Sequence, residues 1–131
     1  MSPEGDIIRE FQHQQFIPEI ETQGEISFIY IDGAYSHAVL TRPAKDDFRV
    51  QKEHGGSAKL VHPDSSLLEQ ANEIAATVAQ VRDSLYCRID AVARNGRLVL
   101  MELELIEPEL FLGLAEGAAE RFAAAIVARM R

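Results

Sequence analysis

Three acidic residues stand where a β-hairpin would bring them together. Glu102 and Glu104 are two positions apart, so in a strand both side chains point to the same face. Asp90 lies on the other side of Asn95-Gly96, a dipeptide typical of two-residue hairpin turns, which would place it opposite position 101 or 102. Converging carboxylates repel one another unless a cation neutralises them, and oxygen ligands suit Mg²⁺ or Mn²⁺. The pattern predicts a divalent-metal site.

The strand that carries the two glutamates begins with apolar residues. Positions 98–101 are continuously apolar, which indicates a strand whose start is buried on both faces. Acids at the end of such a strand lie at the edge of a core, where binding sites form. The alternative is a solvated strand face, because acidic residues are common at protein surfaces.

A second group of residues suited to an anion lies in the charged segment 44–58. Gly55 and Gly56 let the backbone approach a ligand closely, and their amides can meet an anion. Arg49 offers a planar fork of N–H donors that fits a phosphate or a carboxylate. Long loops without secondary structure are usually functional or disordered, so a surface loop with a simple glycine turn is the alternative.

The elements that must position these residues form two hairpins and two helices. Asp32-Gly33 is a second hairpin signal, and apolar residues spaced by three and four predict a helix with Ser66 and Glu69 as its capping box. This order predicts an α+β fold, in which an antiparallel sheet of two hairpins has two main helices packed on one side. The predicted strands are 26–32, 34–41, 59–62, 86–93 and 97–105. The first predicted helix begins after Pro63, with an apolar face from Leu67 to Val81, and the second runs from about Leu114 to Met130.

The composition narrows the class of protein. The chain has 131 residues, enough for one core, and no apolar run approaches the roughly 20 residues of a membrane-spanning helix. A net charge of −8 argues against nonspecific nucleic-acid binding, although an acidic protein can still bind a nucleotide through magnesium and local arginines. The N-terminus lacks the pattern of a signal peptide, and Cys87 is the single cysteine. A cytoplasmic protein without nucleic-acid or membrane partners is predicted.

The acidic hairpin resembles the metal motif of ATP-grasp ligases, most closely that of prokaryotic glutathione synthetases and ribosomal-protein glutamate ligases. In that motif an aspartate on one strand precedes a glutamate, one intervening residue, and an asparagine or glutamate on the next strand. Asp90 and Glu102-Leu103-Glu104 have this order, and Pro108 follows as a proline does in the family. Glu104 stands where many members have asparagine. The resemblance implies ATP as a ligand, with Mg²⁺ or Mn²⁺ held by the three acids.

The segment 44–58 resembles the Asp-Phe-Arg and Gly-Gly stretch of the same enzymes. By this resemblance Arg49 would stabilise the transferring γ-phosphoryl group, and Gln51 would lie near substrate or metal. Arg42, which precedes the segment, would also face the phosphates.

A segment near the N-terminus resembles the hinge of ATP-grasp proteins, where the backbone contacts the adenine edge and apolar side chains cover its face. Its residues are Gln14, Gln15, Phe16 and Ile17. Glu25 stands where relatives place an acid that binds the ribose hydroxyls. An ordinary strand and loop is the alternative reading of these positions.

The resemblance covers only about half of an ATP-grasp enzyme. Residues 1–131 are therefore expected to form a single domain, the C-terminal subdomain, with the substrate domain and the lid absent. The first hypothesis is the Mg-ATP-binding portion of a carboxylate–amine ligase, incomplete or inactive alone, whose ligands are ATP and a small carboxylate and amine. The alternatives are a non-catalytic nucleotide- or metal-binding module and an unrelated acidic α+β domain that binds a cation. A homodimer, or association with the missing domains, is also expected.

Overall fold

The computed structural model of the chain describes residues 23–42, 57–106 and 108–130. Among these residues, no helix is long and apolar enough to cross a membrane. The secondary structure of the described part runs in the order β1 (Glu25–Ile31), β2 (Ala34–Arg42), β3 (Ser57–Val61), α1 (Ser65–Thr77), α2 (Ala79–Arg82), β4 (Tyr86–Arg94), β5 (Arg97–Glu104), a 3-10 turn (Leu112–Leu114) and α3 (Ala118–Arg129).

Both predicted hairpins are present, and their turn residues explain why. Asp32 and Gly33 have φ of 52° and 82°, and Asn95 and Gly96 have φ of 54° and 79°. Positive φ at both central positions defines a turn whose twist matches that of the flanking strands. Asn, Asp and Gly adopt this left-handed conformation at little cost, so the two dipeptides fix the two turns.

The five strands form one antiparallel sheet in the order β3-β2-β1-β4-β5. The two hairpins meet where β1 pairs with β4, so β1 is the central strand of the sheet and β4 lies between β1 and the edge strand β5. The predicted α+β class and the antiparallel sheet are confirmed.

The helices lie on opposite faces of this sheet, which corrects the prediction that both pack on one side. On one face Phe28 and Tyr30 pack with Ala71 and other residues of α1. On the other face Ile29 and Ile31 pack with Ala125 and Phe122 of α3. The reason is that β1 carries apolar side chains at consecutive positions, and alternation along the strand exposes them on both faces. Each face therefore needs a cover.

Helix α1 begins two residues earlier than the predicted capping box requires, so Ser66 is not its N-cap. Its N-cap is Asp64, which has an extended backbone and a carboxylate that accepts from the amide of Leu67 at 3.1 Å. Asp is as good an N-cap as Ser.

Alanine substitution at Gly24 and Gly96 should separate two costs of replacing a left-handed glycine. Gly24 has φ of 86°, and an added Cβ would lie 2.6 Å from the carbonyl oxygen of Thr41. Gly96 has φ of 79° with nothing within 4 Å of that position. Both changes incur the conformational cost of about 1–2 kcal/mol, but only Gly24→Ala adds a clash, typically about 1–3 kcal/mol. Urea denaturation should therefore show a greater loss for Gly24→Ala, and equal losses would contradict the close approach of the two segments.

Candidate functional site

The acidic cluster lies on the face of the sheet that also carries α3. Ser27 of β1 pairs with Asp90 of β4, and Asp90 pairs with Glu102 of β5. Two positions along, Arg88 pairs with Glu104. Because side chains alternate along each strand, the three acids share one face with Arg88. The hairpin therefore brings Asp90 and Glu102 directly opposite each other.

A β-bulge in β5 sets this register. Asp90 pairs with Glu102, but the next residue of β4, Ala91, pairs with Leu100, so Met101 has no Cα partner. A bulge inserts one residue into one strand of a pair and leaves it unpaired. In a regular hairpin Asp90 would instead face Met101, and the two glutamates would point to the opposite face.

Arg88 is a charged residue of this face that the sequence reasoning missed. Its Nε and Nη2 donate to the two carboxylate oxygens of Asp90, both at 2.9 Å. The side chains of Asp90 and Arg88 are only 2% and 17% exposed, respectively. A bidentate pair of this kind is strong and holds both groups in one geometry. The available signal was the spacing of two between an arginine and an aspartate on one predicted strand.

Two carboxyl groups of this face, those of Glu102 and Glu25, have raised pKa values. A hydrogen bond to Glu104, burial and the neighbouring negative charges raise the pKa of Glu102 from 4.5 to about 7. Burial and the charge of Asp90 raise the pKa of Glu25 to about 8, against the opposing effect of Arg88. Both groups therefore keep their protons to a higher pH than an ordinary carboxyl group does, and a bound cation would favour their ionised form.

A divalent cation suits the chemistry of these donors, although the side chains do not surround a single point. No group of three or more His, Cys, Asp or Glu side chains within 23–42, 57–106 and 108–130 is arranged to hold a metal ion. Both oxygens of Asp90 accept from Arg88, so a cation must share these oxygens with the guanidinium or displace it. The predicted ligands all supply carboxylate oxygens, which Mg²⁺ and Mn²⁺ prefer. The metal site therefore stays a prediction, which is supported by the suitable chemistry of its donor atoms.

Two further predicted site residues lie in the described part of the chain. Glu25 begins β1 opposite Thr41, within electrostatic reach of Asp90 and Glu102. Arg42 ends β2 as an exposed residue paired with Ser57. The remaining predicted residues lie outside the described ranges: Gln14, Gln15, Phe16, Ile17, Arg49, Gln51, Gly55 and Gly56.

The contribution of the acidic cluster to the unfolding free energy should fall as pH rises from about 4.5 to about 8. A carboxyl group with a raised folded-state pKa keeps its proton while the unfolded chain releases it, which favours unfolding. Glu102→Gln removes one such group, so stability should depend less steeply on pH than in the wild type. Glu73→Gln removes an exposed acid of α1 and should leave the slope unchanged. Urea denaturation in EDTA at about pH 5 and about pH 7.5 measures both, and an unaltered slope in Glu102→Gln would contradict the crowding of these acids.

Comparison with known proteins identifies the family to which this chain belongs. Residues 5–109 match the model of the RimK-like ATP-grasp domain. The cycloserine biosynthesis protein DcsG of Streptomyces lavendulae is 30% identical over 132 aligned residues, which cover 90% of this chain and 42% of that protein. A glutathione synthetase of Bradyrhizobium diazoefficiens is 35% identical over 98 residues, covering 72% of this chain and 28% of that protein. The chain thus spans less than half the length of these relatives.

Solved structures of ligases share the fold. The crystal structure of the D-cycloserine synthetase DcsG superposes with a TM-score of 0.71 at 24% identity, over 90% of this chain and 42% of that one. A D-alanine–D-alanine ligase from Bacillus anthracis, solved in complex with ATP, gives a TM-score of 0.61 at 18% identity, over 88% of this chain and 39% of that one. The match of the family model over most of the sequence, supported by this shared fold, shows that the chain belongs to the RimK-like ATP-grasp domain family.

Proposed function

We propose that this chain is the Mg-ATP-binding portion of an ATP-dependent ligase that joins a carboxylate to an amine. In that class of reaction a carboxylate takes the terminal phosphoryl group of ATP, and an amine then displaces phosphate from the resulting acyl phosphate. The family membership supports the ATP-grasp part of this proposal. One relative is a cycloserine biosynthesis protein and another a glutathione synthetase, so the proposal does not extend to a particular acid or amine.

The observation that carries the proposal is the pairing of Asp90 with Glu102 across β4 and β5, with Glu104 on the same face. These three acids would hold Mg²⁺, which when bound would offset phosphate charge during the transfer. The raised pKa of Glu102 supports this role, because a bound cation relieves the repulsion that its neighbours exert.

Arg88 would supply positive charge on the same face. Its guanidinium is held by Asp90, so it needs no reorganisation to meet an anion when Mg²⁺ shares the Asp90 oxygens with it, and preorganised charge of this kind is a main source of catalysis. Three of its five N–H donors have partners in the described part of the chain, on Asp90 and on the carbonyl of Glu109. The other two could contact phosphate oxygens. Arg49 would add a second positive charge.

A small apolar cluster adjoins the acids. Met101, the bulged residue next to Glu102, packs with Val92 and Val99. Val92 is fully buried and Met101 is 8% exposed, so this cluster belongs to the packed interior of the sheet beside the predicted metal ligands.

The alternative is a module that binds a nucleotide or a divalent cation without catalysing a reaction. It is supported by the same donor set, because carboxylate oxygens on one face suit a divalent cation whether or not a product forms. Both functions need the same acids, so they differ only in whether product forms. The cytoplasmic location, the small-molecule substrates and a homodimer or docking to further domains are part of the same proposal.

Calorimetric titration with Mg-ATP should detect binding, and Glu102→Gln should weaken it by about tenfold or more, since loss of even an outer partner of a metal ligand typically costs about 10–100-fold in affinity. Glu102 is exposed, so the variant should keep its fold. Glu73→Gln, which removes an exposed acid on the opposite face, is the matched control and should bind as the wild type does.

A phosphate-release assay on the same samples separates the two functions. Binding with phosphate release supports the ligase portion, whereas binding without it supports the module. Absence of binding at millimolar Mg-ATP, with a folded protein, would overturn both.

A further inference from the structure

The guanidinium of Arg88 is held on more than one side. Asp90 accepts from its Nε and Nη2, and the carbonyl oxygen of Glu109 accepts from Nη1 at 3.1 Å. The ring of Phe111 lies with its centroid 6.0 Å from Cζ, within the range of a cation–π contact. One set of contacts comes from the same strand, and the other comes from Glu109–Phe111, a segment that follows β5.

The Glu109–Phe111 segment has an unusual and well-fixed backbone. The carboxylate of Glu109 accepts from the amide of Phe111 at 3.0 Å, which closes a tight local ring. Phe111 has φ of 52°, a left-handed conformation that bulky residues rarely adopt. Such strain persists only where the surroundings over-determine it, and it concentrates at ligand-binding and active sites.

Leu110 anchors the middle of the segment to the sheet. Its side chain is buried among Ile29, Ile31 and Val39, on the face that carries Arg88. The flanking residues Glu109 and Phe111 therefore approach Arg88 from a fixed point. The segment cannot move away from the arginine without withdrawing an apolar side chain from the core.

His37 fixes the same segment through its backbone. This buried residue of β2 places Nε2 2.9 Å from the carbonyl oxygen of Leu110. A carbonyl only accepts, so Nε2 carries the proton, and Nδ1 of the neutral ring accepts from the hydroxyl of Ser36 at 2.7 Å. Arg121 of α3 donates in turn to that hydroxyl at 2.9 Å. A continuous chain of hydrogen bonds thus runs from α3 to the segment beside Arg88.

We propose that Glu109–Phe111 is a positioning element for Arg88, and that His37 locks this element in place from β2. The inference rests on the proposed function only in that Arg88 is expected to meet the phosphate charge. The element orients the guanidinium and covers one side of it. Its residues act through Arg88 and do not themselves contact the nucleotide.

The first test needs no ligand. A ¹⁵N correlation spectrum shows the Nε–H signal of Arg88, which is assigned by its loss in Arg88→Lys. This signal reports how fast the Nε proton exchanges with water. Phe111→Leu and His37→Leu should each raise the exchange rate about fivefold or more, because the arginine opens more often. Phe111→Tyr retains a ring over the guanidinium and should restore wild-type exchange.

The matched control for this test is Phe122→Leu. Phe122 lies on α3, against the same face of the sheet, and its ring contacts Tyr86 edge-on at a centroid distance of 6.0 Å. Removing that ring costs similar packing without touching Arg88, so exchange at Arg88 should stay near the wild-type rate. Unchanged exchange in a folded Phe111→Leu variant would overturn the proposal, as would an equal rise in Phe122→Leu.

The second test is a double-mutant cycle on Mg-ATP affinity. If Phe111 acts through Arg88, Phe111→Leu should weaken binding about three- to tenfold in the wild type but less than about twofold in the Arg88→Lys background. Equal effects in both backgrounds would mean that Phe111 acts independently of Arg88, and would overturn the proposal. A wild-type protein that binds no Mg-ATP would contradict the proposed function instead, and the exchange rates would still decide the positioning role.

Discussion

An extra residue in β5, Met101, determines which side chains of the sheet share a face. A shift of one position moves every later side chain of a strand to the opposite face. In a regular hairpin Glu102 and Glu104 would point into the apolar core beneath α1, where ionised carboxylates are costly. The bulge instead turns Leu103 and Leu105 toward that core and leaves the acids opposite Arg88 and Asp90. The bulge therefore lets the apolar side chains of β5 be buried on one face while its acidic side chains lie beside Arg88 on the other.

The pair of Arg88 and Asp90 depends on that arrangement and extends it. Asp90 is fully buried between β1 and β5, where its charge is acceptable because both oxygens accept from the arginine. Loss of one partner from such a pair typically costs about 3–5 kcal/mol. Arg88 also contacts Glu109 and Phe111, so the chain that leaves the sheet is tied to the strand that carries the acids. The same charges therefore contribute to the fold and to the proposed binding of phosphate.

The sequence predicted the parts of this fold that local conformation controls. Asp32-Gly33 and Asn95-Gly96 gave both hairpins, because few residue pairs adopt two successive positive φ angles. The start of α1 was predicted two residues too late, because the N-cap is Asp64, whose carboxylate accepts from the amide of Leu67, and not Ser66. The helix faces were predicted wrongly, although consecutive apolar residues in β1 already indicated that both sides of the sheet are covered.

By itself the sequence determined the family, the two turns and the order of Asp90, Glu102 and Glu104 along one hairpin. It left the pairing of Asp90 open between positions 101 and 102, and it gave no role to Arg88, His37 or the Glu109–Phe111 segment. Only the tertiary structure decided these points. The conformational energy of two residues determines each turn. A bulge and a buried ion pair depend instead on packing on both faces of the sheet at once, which involves residues far apart in the chain.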